Sequence, residues 1–77
     1  MRTQYEIQKE LQRTDWEGAY MGIMGYDNSI SYSDITEEDI DRNAENLRSQ
    51  HEDVDESQVG KAKRYLRLMQ EWEAAAE

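Results

Sequence analysis

Residues 36–58 hold nine carboxylates against two arginines, so the chemistry this chain is best equipped for is the presentation of fixed negative charge. The formal charge runs −3, −7 and +1 over residues 1–35, 36–58 and 59–77, which makes up the −9 of the whole chain. A field this uneven repels nucleic acid and anionic membrane and draws basic protein surfaces at long range. The expected partner is therefore a basic protein, with no direct binding of nucleic acid or membrane. Within the block, Glu38, Asp41, Glu45 and Glu52 fall inside an arc of about 60° on a helical wheel, beside the apolar face of Ile40 and Leu47. From 38 to 41 to 45 the steps are about 4.5 and 6 Å along a helix, comparable with one phosphate per ~3.4 Å of a nucleic-acid strand. Such a row can imitate phosphates. Its alternative is a solvated face that keeps a small protein soluble. Like charges at this spacing repel by a few tenths of a kcal/mol each, a cost that favours the imitation.

Other chemistries are poorly supplied. The chain has one histidine and no cysteine, which argues against a structural zinc site and rules out thiolate chemistry. It has no glycine-rich phosphate loop and no spacing that suggests a Ser/His/Asp set. No enzyme activity and no cofactor are expected. His51 reads as a helix-end residue whose charge complements the dipole. Asp27, Ser29, Ser31, Ser33 and Glu38 fit positions 1, 3, 5, 7 and 12 of a calcium loop, but Tyr32 stands where glycine is needed and Asp34 where an apolar residue is needed. No metal is expected there. Residues 26–35 instead read as a polar connection in which Tyr26, Asp27, Tyr32 and Asp34 set tyrosine beside acid, a composition suited to an interface with a basic partner. Tyr20 as core is the plainer reading of the first aromatic in this run.

The elements that must position these groups are helices. The chain reads as one all-α domain over residues 1–77, a small bundle of three to four helices at about 4–13, 15–25, 37–51 and 56–75. Thr3 with Glu6 and Thr14 with Glu17 have the capping-box spacing. Ile35, Thr36, Asp39 and Ile40 form a staple and cap for the third helix, and Val54, Asp55, Gln58 and Val59 repeat the device for the fourth. Gly18, Gly22 and Gly25 share one face of the second helix; a short hairpin near 21–33 is the competing assignment there. No apolar run approaches the 18 or so residues of a membrane span. No signal peptide is expected either, and the cytoplasm is the default compartment.

The fourth helix carries Val59, Ala62, Tyr65, Leu66, Met69, Trp72 and Ala76 on one broad face. Three short helices are expected to leave part of it open, so that Leu66, Met69 or Trp72 is buried in a homodimer or against the target. Lys61, Lys63, Arg64 and Arg67 sit in the first half of this helix, where its dipole disfavours cations. Arg64 and Arg67 are expected to pair with carboxylates of the third helix.

Two functions fit. One is a protein-binding module that inhibits a basic nucleic-acid-handling protein by occupying its nucleic-acid site. In size, acidity and lack of a catalytic motif the chain resembles the small inhibitors that phages and plasmids use against restriction or CRISPR systems, a likeness of character that covers no motif. The other is a self-associating structural or adaptor bundle whose acidity serves solubility.

Overall fold

The structure, a computed structural model, describes residues 3–25 and 31–75. Four α-helices follow in order, α1 (Gln4–Gln12), α2 (Trp16–Met24), α3 (Glu37–Ser49) and α4 (Glu56–Ala75), with a 3₁₀ turn at Tyr32–Asp34 between α2 and α3. The fold is a small all-α bundle, and among the described residues there is no strand. The hairpin alternative is thereby overturned: Met21 to Met24 complete α2, and Tyr32 and Ser33 lie in the 3₁₀ turn.

Capping explains where the helices begin. At α1, the Thr3 hydroxyl accepts from the Glu6 amide while the Glu6 carboxylate accepts from the Thr3 amide. Thr36 and Asp39 make the same reciprocal pair at α3. Asp55 opens α4 by accepting from the Gln58 amide at 2.7 Å. A polar cap of this kind stabilises its helix by about 1 kcal/mol. The box expected at Thr14 and Glu17 does not form. The Thr14 hydroxyl turns back to donate to the Leu11 carbonyl, and Asp15 precedes α2 without a side-chain cap. Gly25 ends α2 at φ +76°, a conformation that glycine adopts without a Cβ penalty.

The end of α3 departs from expectation in a way that matters for the acid row. Glu52 N–H donates to the Leu47 carbonyl and His51 N–H to the Arg48 carbonyl, both at 3.0 Å. This is a Schellman closure, in which the residue after the cap must turn left-handed. That residue is His51, at φ +68°. His51 is therefore exposed and outside the helix, which ends at Ser49 rather than at residue 51. Since the left-handed conformation costs a side chain about 1–2 kcal/mol, His51→Gly should raise stability by about 0.5–1 kcal/mol in urea unfolding. A loss of stability would mean that the imidazole contributes more than its backbone strain takes away.

The core is built on α4, which packs against α1, α2, α3 and the 3₁₀ turn, while α2 also packs against α3. Tyr20 and Ile23 of α2, Ile40 and Ala44 of α3, and Val59, Ala62, Tyr65 and Leu66 of α4 form one buried cluster. Ile7 of α1 and Leu68 of α4 are buried outside it. Leu68 widens the buried arc of α4 beyond the expected stripe, to about half the helix circumference at 100° per residue. Val54 and Ile35 pack on the cluster that holds Val59 and Ile40, as the staples require. No polar or charged residue is buried among the described residues. The Trp72 Nε1 atom is buried with no hydrogen-bond partner among them, which costs about 1–3 kcal/mol against a satisfied donor.

Candidate functional site

One flank of α4 reads the chain from residue 31 to residue 41 in antiparallel order. The Glu73 carboxylate accepts from the Ser31 hydroxyl and from Ser33 N–H. The Gln70 amide donates to the carbonyls of Tyr32 and Ile35 at 3.0 and 2.9 Å. Arg67 forks onto Glu37, with Nη2 to Oε1 at 3.0 Å and Nε to Oε2 at 3.3 Å, and Lys63 meets Asp41 at 3.0 Å. The ladder fixes the register of α3 on α4. It also accounts for charges that the α4 dipole disfavours: Lys63 and Arg67 serve α3, and Glu73 holds the 3₁₀ turn.

The remaining α4 cations are also engaged within the bundle. Lys61 pairs with Asp15 at 3.3 Å. Arg64, expected on a carboxylate of α3, lies instead over the Trp16 ring, 5.8 Å from its centroid. On α3 itself Arg42 meets Asp39 at 3.4 Å and Arg48 meets Glu45 at 3.0 Å, while Arg48 Nε also donates to the Val54 carbonyl and so ties down the connection to α4. Exposed pairs of this kind contribute about 0–1 kcal/mol each. Their main consequence is electrostatic, since they leave few cations to oppose the outward-facing acids.

The row proposed from the sequence is partly assembled. Glu38, Asp41 and Glu45 stand on α3 at the expected spacing and are exposed. Glu52 does not continue the row, because the left-handed turn at His51 takes it off the helix. Asp41 is paired toward α4 and Glu45 along its own helix, yet their side chains remain 56% and 73% exposed. Glu38 is exposed and carries no ion pair or side-chain hydrogen bond among the described residues, and the same holds for Glu52, Asp53 and Glu56. Asp53 and Glu56 lie outside the row that helical spacing picks out, although the run from Glu52 to Glu56 holds four carboxylates in five positions. Asp55 is the one spent on a cap. The acidic surface thus runs from Glu38 along α3, 13 residues and about 20 Å, to the α3–α4 connection.

The tyrosine contacts resolve differently. Tyr26 and Asp27 lie outside the described residues. Asp34 is exposed in the 3₁₀ turn and unpaired among them. Tyr32 is half-buried in a triad, its ring centroid 6.0 Å from Tyr20 and 6.1 Å from Tyr65, with Tyr20 and Tyr65 5.0 Å apart. Its ring packs the bundle, which leaves it only partly open to contact. Burial first, then the neighbouring Tyr32 and Asp39, pushes the Tyr20 hydroxyl up to about 12. Burial also raises Tyr65, reinforced by a hydrogen bond with Tyr32. Asp39 moves the other way, held below the usual carboxylate range chiefly by the Thr36 amide.

Of the apolar stripe expected to stand open, Leu66 is a correction. Leu66 is 1% exposed inside the chain's own core, so it is no inter-chain contact. Met69 and Trp72 are half-buried, and Met69 packs on the cluster. Among the described residues, the large hydrophobic residue that does stand exposed is Tyr5 of α1. Among the described residues no group of three or more His, Cys, Asp or Glu side chains is placed to hold a metal ion, and no helix is long and apolar enough to cross a membrane.

Fold and surface together define a small, acidic, all-helical module in which five described cations of α3 and α4 are held in ion pairs within the chain and exposed acids line α3 and its connection to α4. No protein-family model matches the chain, and neither a curated protein nor a solved structure is significantly similar to it.

Proposed function

We propose that this chain is a non-catalytic protein-binding module that docks on a basic, nucleic-acid-handling protein and obstructs its nucleic-acid site. The observation that carries the reading is the division of charge: five described cations are held in ion pairs within the bundle, while Glu38, Glu52, Asp53 and Glu56 are exposed and unpaired among the described residues. Asp41 and Glu45 add to that surface. Their pairs are exposed and weak enough, at about 0–1 kcal/mol, for an arginine or lysine of the partner to take over. A groove that binds a phosphate backbone with Lys and Arg meets on this flank carboxylates at comparable intervals. Such a module works in the cytoplasm, where nucleic-acid enzymes act, in the manner of phage or plasmid inhibitors of restriction or CRISPR systems.

Capture from a cell lysate on the immobilised chain tests this. Basic nucleic-acid-binding proteins should be retained at low ionic strength, lost as salt rises, and displaced by added DNA or RNA. Retention indifferent to both salt and nucleic acid would overturn the reading.

A further inference from the structure

We draw no further inference here: the strongest candidate, the open groove of about 370 Å³ between the start of α2 and the start of α4, lined by Asp15, Gly18, Ala19, Asp55, Gln58 and Lys61, carries nothing because Asp55 already caps α4, Lys61 already pairs with Asp15, and nothing in the structure shows what fills it.

Discussion

Leu66→Ala should cost about 2–5 kcal/mol, because a buried leucine cut back to alanine loses its transfer energy and leaves a cavity. A domain of this length has roughly 4–12 kcal/mol of stability in total. The variant should therefore melt far below the parent, or show no cooperative transition, when followed by circular dichroism. Sedimentation run alongside separates this from the interface role that the α4 stripe suggests on sequence grounds. If Leu66 were an inter-chain contact, the substitution would turn a dimer into a folded monomer of similar secondary structure. A dimeric parent whose variant is a monomer melting close to the parent would contradict the internal placement at 1% exposure.

Alkaline pH should destabilise the bundle through Tyr20 and Tyr65. Tyr20 and Tyr65 both titrate above the usual tyrosine value in the folded chain, Tyr20 at about 12. The unfolded chain releases these protons first, near about pH 10, so the native state binds more protons in this range and stability falls as pH rises. The stabilisation is fully present below pH ~10 and is lost as pH climbs toward and past about 12, at up to about 1.4 kcal/mol per pH unit for each ring. Between pH 8 and pH 11 the two together should remove about 2–3 kcal/mol, measured by urea unfolding at each pH. The Tyr20→Phe/Tyr65→Phe pair isolates the effect from lysine titration, since it should flatten most of the decline. An equally steep decline in that variant would place the alkaline sensitivity elsewhere.

The helices were legible because their starts are written locally. Thr3 with Glu6, Thr36 with Asp39, and Asp55 with the Val54 and Val59 staple each state a boundary within five residues, and the structure honours all three. Thr14 misled because a hydroxyl can serve either the amide ahead or the carbonyl behind, and the carbonyl of Leu11 won. His51 misled because left-handed caps announce themselves by glycine; without one, nothing local signals that α3 stops at Ser49 and that Glu52 leaves the row. The ladder from Lys63 to Glu73 depends on contacts made 22 to 42 residues apart, and the inward fate of Leu66 on core residues of α2 and α3, which spacing along one helix does not encode. The acid excess itself was plain in the composition. Which carboxylates stay unpaired became visible only once α4 was laid against α3.

Two triple variants of equal charge test the central claim most directly. One removes outward acids, Glu38→Gln/Glu52→Gln/Asp53→Asn; the other removes acids engaged within the bundle and outside the acid row, Asp15→Asn/Glu37→Gln/Glu73→Gln. Each takes the chain from −9 to −6, so long-range attraction falls equally in both. The outward triple should keep its stability and bind the captured basic partner about tenfold more weakly than the inward triple, about 1.4 kcal/mol, with slower association and a shallower salt dependence. The inward triple should lose up to about 1 kcal/mol of stability per broken pair while retaining more of its binding. Equal binding by the two variants would contradict the account, because net charge alone, and not the unpaired flank of α3 and its connection, would then be what the partner recognises.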